Sequence, residues 1–176
     1  MARASKPTAD IEPDERAGSR AIWLRRAFLT LLALIVVAGL LGFLGVRSRT
    51  STAQSRSGDV SLDVHYAQVA RAGLDVPFEI TVQRRGGFDD DVTVAVSTSY
   101  LELFNRNSID PEPSSSTSTG DAVIWRFDPP PGDTLAVSVD MQVQYGRHFG
   151  RNGFVAVLDR NGNAIARTTF KTWLSP

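Results

Sequence analysis

The longest unbroken apolar pattern in the chain is AFLTLLALIVVAGLLGFLGV, residues 27–46, with no charge and a single hydroxyl at Thr30. As a helix rising 1.5 Å per residue, a run of this length spans about 30 Å, the hydrocarbon thickness of a bilayer. Trp23, Arg25 and Arg26 stand before it, and Arg47 and Arg49 after it. An indole and guanidinium groups at the ends suit the interfacial belt of a membrane span. A signal-peptide core is shorter, about 7–15 residues. The small-residue cleavage candidate, Ser51-Thr52-Ala53, also lies beyond both arginines. The pattern therefore predicts an uncleaved membrane anchor. A cleaved export signal and the core helix of a soluble protein are the alternatives. Ala38, Gly39, Gly42 and Gly45 place small residues along the run, a candidate helix–helix contact in lipid.

From Asp59 the period changes to two. DVSLDVHY puts Val60, Leu62, Val64 and Tyr66 on one face. VPFEITVQR does the same with Val76, Phe78, Ile80 and Val82, DVTVAVS with Val92, Val94 and Val96, and AVIWRF with Val123, Trp125 and Phe127. TLAVSVDMQVQY is the longest such run, from Leu135 to Tyr145. Two more strands are predicted near 154–158 and 164–173, joined by DRNGN, whose Asn161-Gly162 pair supplies the positive φ of a tight hairpin. Strict alternation marks strands with one buried and one wet face. Turn signals separate them: Arg85-Gly86-Gly87, the stretch 111–120, and Pro129-Pro130-Pro131-Gly132. About seven short strands in such spacing predict an all-β, Ig-like antiparallel β-sandwich.

The predicted organisation has four parts. Residues 1–26 are polar and charged and predict a disordered cytoplasmic tail. Residues 27–46 are the transmembrane helix. Residues 47–58, RSRTSTAQSRSG, predict a flexible hydrophilic linker. Residues 59–176 form the extracytoplasmic β-domain, enough chain for a core of its own.

Charge sharpens this division. Residues 1–26 carry six basic and four acidic side chains, the linker three arginines, and residues 59–176 ten basic and fifteen acidic groups, a net of −5. A domain of that charge without a basic patch argues against nucleic acid as a partner. Flanking arginines bias the N-terminus toward the cytoplasm, placing the protein in the plasma membrane as a single-pass chain with its C-terminal domain outside. No cysteine is present, which excludes disulfides and thiol chemistry.

FEITVQRRGGFDDDVTVAVSTSYLELF and DAVIWRFDPPPGDTLAVSVDMQV together resemble the two halves of the conserved-repeat Ig-like modules of bacterial surface proteins. Those modules combine a strand, a glycine turn, a second strand and an aromatic-leucine corner with a tryptophan strand, a Pro/Gly turn and a long amphipathic strand. The resemblance covers Gly73 to Val143 and departs from the usual asparagine-glycine turn at Arg84-Arg85-Gly86-Gly87. It implies an extracytoplasmic, non-catalytic module, and it carries no functional residue with it.

The residues that could carry chemistry are few. His65 and His148 are the only histidines, too few for a zinc site. Asp89-Asp90-Asp91 and Asp159-Arg160-Asn161-Gly162-Asn163 hold carboxylates in turns, but lack the spacing of a calcium loop and read as solvated turns. The stretch from Pro113 to Thr119 reads as a solvated polar loop, with O-glycosylation the alternative. Neither a nucleophile elbow nor a phosphate-binding glycine loop is present. No catalytic residue, cofactor, metal or small-molecule substrate is assigned. The corner Tyr100-Leu101-Glu102-Leu103-Phe104 breaks the alternation, and Tyr100, Leu101, Leu103 and Phe104 form the candidate partner patch. The function this predicts is a non-catalytic accessory protein. It would present a β-domain near the bilayer to another membrane or envelope protein. A structural module binding wall polymer or glycan is the alternative.

Overall fold

A computed structural model describes residues 15–40, 47–146 and 150–175. It divides into two compact units, Met1–Gly45 and Val46–Pro176.

The first unit contains one helix, α1 (Glu15–Leu40). It begins ahead of the predicted anchor, so residues 15–26, expected as part of a disordered tail, are helical. Leu, Ala, Arg and Glu are good helix formers, and the terminal charges do not interrupt them. From Ile22 to Leu40 the helix is long and apolar enough to cross a bilayer. The one hydroxyl in its apolar stretch, Thr30, donates back to the Arg26 carbonyl at 2.9 Å, so that polar atom does not need solvent.

The second unit is mostly β. Its strands are β1 (Arg47–Gln54), β2 (Val60–Arg71), β3 (Asp75–Val76), β4 (Phe78–Arg84), β5 (Val92–Ser97), β6 (Phe104–Asp110), β7 (Ser115–Ser118), β8 (Ala122–Phe127), β9 (Thr134–Val143), β10 (Arg151–Leu158) and β11 (Ala164–Ser175). A single helical turn, α2 (Thr98–Leu101), follows β5. Hydrogen bonding runs continuously in the order β3-β9-β4-β2-β11-β10-β5-β8-β7, with β1 added to β2 and β6 to β9. The sheet curls around one core that includes Leu62, Ile80, Val94, Trp125, Val137 and Val155.

Three features differ from the predicted sandwich. The strands exceed the expected seven, because β1, β3, β6 and β7 carry no apolar alternation. The pairing is not wholly antiparallel, since the end of β11 runs parallel to β2, with Trp173 opposite Val69. Residues 47–54 are not a flexible linker but a full strand, registered on β2 from Arg47↔Val69 to Gln54↔Ser61. Backbone hydrogen bonds and a wet outer face hold this strand, which apolar periodicity does not detect. Ser51 also reaches β11: its hydroxyl shares a 2.6 Å hydrogen bond with Thr168 and donates to the Thr169 carbonyl at 3.3 Å.

The parallel pairing begins where β2 changes phase. Inward positions of β2 run Val60, Leu62, Val64 and Tyr66, and then shift phase to Ala67 and Ala70. The irregularity in the β1–β2 register falls at the same level, between Arg47 and Ser48. Such a bulge re-aims a strand. It lets β2 pair with β4 through Tyr66 and with β11 from Val69 onward.

Candidate functional site

The expected partner patch is not on the surface. Tyr100 is 1% exposed, Leu101 4%, Leu103 0% and Phe104 3%. The corner plugs the end of the core, and its proposed contact role is withdrawn. Its rings meet partners distant in sequence: Tyr100 lies 5.6 Å from Phe78, 5.1 Å from Phe104 and, edge-on, 4.9 Å from Phe170. Phe170 in turn lies 4.7 Å from Tyr66. Leu103 and Phe104 leave α2 for β6, where Phe104 pairs opposite Val143.

A buried polar relay runs through this cluster. The Tyr100 hydroxyl and Thr172 Oγ1 are 3.0 Å apart, and Thr172 Oγ1 donates to the Ala67 carbonyl at 2.6 Å. Threonine has one proton to give, so Tyr100 donates to it. Burial pushes the Tyr100 phenol well above its ordinary range. The relay ties α2, β11 and β2 together at the phase shift of β2. It is closed to solvent and holds structure rather than substrate.

On the outside, alternation along β11 turns Ile165, Arg167, Thr169, Lys171 and Trp173 outward. The Arg167 guanidinium sits 4.1 Å from the ring centre of Phe154 on β10, and the Lys171 ammonium 3.6 Å from the ring centre of Trp173. Each is a cation over an aromatic face. A shallow groove beside them is lined by Ser97, Asp121, Asn152, Phe154, Arg167 and Lys171. Ser97 Oγ accepts the Phe154 backbone N–H at 3.1 Å. The groove offers hydrogen-bond donors and one stacked ring. The segment IARTTFKTW shows this outward row in the sequence once its odd positions are read as the solvent face.

The acidic turns are internally engaged. Asp159 Oδ1 accepts the backbone N–H groups of Asn163 and Asn161 at 2.8 Å, and Oδ2 accepts Asn163 Nδ2 at 3.3 Å. The Asn163 N–H leads in holding this carboxylate below its ordinary range. Gly162 takes φ +82°, closing the hairpin between β10 and β11. Asp90 pairs with Arg160, whose guanidinium is held above its usual range by that contact. His65 Nδ1 lies 3.3 Å from the Thr50 hydroxyl, and His148 is outside the described residues. Ser115–Ser118, expected as loop, is the exposed strand β7 on β8. Among the described residues no group of three or more His, Cys, Asp or Glu could hold a metal.

Of the anchor residues, Trp23 is 74% exposed, Arg25 and Arg26 are exposed on α1, and Arg47 and Arg49 lie on β1. Ala38 is half-buried and Gly39 exposed, while Gly42 and Gly45 fall outside the described residues.

No family model and no curated protein matches the chain. Solved structures give distant likenesses. One is AvmM, described as catalysing macrocyclization in alchivemycin A biosynthesis, at 12% identity over 67% of this chain and 90% of that one, TM-score 0.39. A second is the alkylpurine DNA glycosylase AlkC of Pseudomonas fluorescens, at 13% identity over 76% of this chain and 32% of that one, TM-score 0.30. A third is the PmoD soluble domain of a Methylocystis species, at 13% identity over 74% of this chain and 92% of that one, TM-score 0.30. Likenesses of this degree lend the chain no residue role.

Proposed function

We propose that this is a single-pass, membrane-anchored, non-catalytic accessory protein that holds an extracytoplasmic β-domain close to the bilayer for a membrane or envelope partner. The observation that carries the reading is the exposure of α1. Every large apolar side chain from Ile22 to Leu40 is at least about half exposed, from 49% at Leu32 and Val37 to 83% at Leu40. A soluble protein would bury such a face, at about 25 cal/mol per Å2 of apolar surface removed from water. The β-unit has a core composed entirely of its own residues, from Val60 to Phe170, and leaves the helix nothing to complete. Lipid is the solvent that suits it.

The orientation follows from the arginine bias, with the N-terminus cytoplasmic. An Ig-like sandwich arrangement of the β-unit is part of the proposal. Its support is that β2, β4, β6 and β9 pair with one another, as do β5, β8, β10 and β11, and that both groups line one core. With the corner buried, the proposed partner contact is the small-residue row Ala38, Gly39, Gly42 and Gly45, where a second helix could approach closely. The test is purification of the full chain from membranes in mild detergent. Intact mass should show residues 1–50 retained, and a co-purifying membrane protein should be lost with Gly42→Leu. A mature N-terminus near Gln54, or a partner indifferent to Gly42→Leu, would refute the anchor or the contact respectively.

A further inference from the structure

Large apolar side chains are exposed at few places on the β-unit, and three of them share one end. Among its described residues, Leu74 is 45% exposed, Tyr145 84% and Trp173 50%; Ile165, at 36%, lies at the opposite end. The register fixes this. Trp173 and Arg47 are both opposite Val69, one on each pairing of β2. Gly73 N–H donates to the Val143 carbonyl at 2.9 Å and Val143 N–H to the Leu74 carbonyl at 3.0 Å, joining the turn of Leu74 to the loop of Tyr145. The Tyr145 ring lies directly over Gly73, where a side chain would collide with it. Lys171 sits over Trp173, and Arg71 is exposed at the end of β2. The rim thus combines an indole, a phenol and a leucine with two cationic side chains, Lys171 and Arg71, and one exposed carboxylate, Asp75.

Arg47, the first residue of β1, is at this end, opposite Val69. The loops at the other end carry six aspartates, Asp59, Asp89, Asp90, Asp91, Asp133 and Asp159, against four arginines, Arg56, Arg84, Arg85 and Arg160, an acidic excess of two.

Resting on the anchored reading, we propose that this rim is a second membrane contact: Trp173, Tyr145 and Leu74 enter the headgroup layer of an anionic bilayer while Lys171 and Arg71 meet lipid phosphates. Trp and Tyr favour that layer because one end is apolar and the other polar. An anionic surface attracts the rim and repels the aspartate loops, so the charge distribution selects one pole. The β-unit then meets the headgroup layer by this end, with its aspartate loops at the end turned away from the lipid.

The absence of native cysteine makes single-site labelling clean. The full chain, carrying an environment-sensitive fluorophore at Ala72→Cys or at Ser57→Cys on the far loop, is reconstituted in phosphatidylcholine vesicles with and without phosphatidylglycerol. Flotation comes first; a chain that does not float, or is stripped by carbonate, overturns the anchored reading and with it this proposal. For a floating chain, the label at 72 should be blue-shifted and quenched by headgroup-labelled lipid in the anionic vesicles, and the label at 57 should not. Raising salt to about 0.5 M, where screening shortens to a few Å, should at least halve the quenching at 72. Trp173→Ser with Lys171→Glu should abolish it while far-ultraviolet dichroism and flotation stay unchanged. Equal quenching at 72 and 57, or quenching at 72 that ignores both the lipid charge and these substitutions, overturns the rim and leaves the anchor standing.

Discussion

Tyr100, Thr172 and the Ala67 carbonyl form a relay whose members can be removed one at a time, with an opposite sign expected in two backgrounds. Tyr100→Phe in the wild-type chain loses one neutral hydrogen bond, and Thr172 keeps its own bond to Ala67. The cost should be about 0.5–1.5 kcal/mol. Thr172→Val preserves shape but orphans the phenol proton in a site where Thr172 is 0% and Tyr100 1% exposed. It also removes a donor from the Ala67 carbonyl. Together these should cost about 2–4 kcal/mol. In the Thr172→Val background, Tyr100→Phe removes the orphaned hydroxyl, so it should restore about 1 kcal/mol or more instead of costing stability. Urea unfolding of residues 47–176, followed by fluorescence and near-ultraviolet dichroism, measures all four corners of the cycle. An equal cost for Tyr100→Phe in both backgrounds would show that the two hydroxyls do not share a bond. The same pair predicts a pH effect. Burial holds the phenol above its ordinary value of about 10 in the folded state. Above about pH 10 the unfolded chain therefore binds fewer protons, and stability falls by at most about 1.4 kcal/mol per pH unit. The contribution is fully present below that pH, and Tyr100→Phe should remove this part of the alkaline loss.

Starting the domain at residue 59 rather than 47 should lower stability by about 2–4 kcal/mol and promote association, since it strips β1 from the edge of β2; equal unfolding midpoints for the two fragments would refute the strand's role. Leu103→Asp should cost more than about 4 kcal/mol and unfold the β-unit, because it buries an unpaired charge; a folded, soluble variant by dichroism would return the corner to the surface. Trp125→Ala should cost about 3–5 kcal/mol on thermal melting, whereas a loss below about 1 kcal/mol would place the ring outside the core. Trp125→Phe should cost much less, since the buried Nε1–H has no hydrogen-bond partner to lose.

The sequence by itself determined the elements whose side chains bear a periodic pattern. An unbroken apolar run specifies a membrane-length helix, apolar residues at every second position specify β2, β4, β5, β8 and β9, because a strand with one buried face must alternate, and the Asn161-Gly162 turn signal marks β10 and β11 on either side of it. Trp125 and Val137 are in the core where that alternation puts them. Tertiary structure alone decided what backbone bonds and distant contacts hold. Strands β1 and β7 are polar and largely exposed, and they exist because β2 and β8 offer unpaired backbone groups to them. The aromatic corner could be plug or patch until Phe78, Phe170 and Thr172 came together around it from elsewhere in the chain. The rim likewise draws Leu74, Tyr145 and Trp173 from three separate segments, and only the phase shift in β2 and the parallel end of β11 bring them to one pole. Periodicity reports which face of an element is buried; it holds no information about which elements close over one another, and that closure sets what the surface displays.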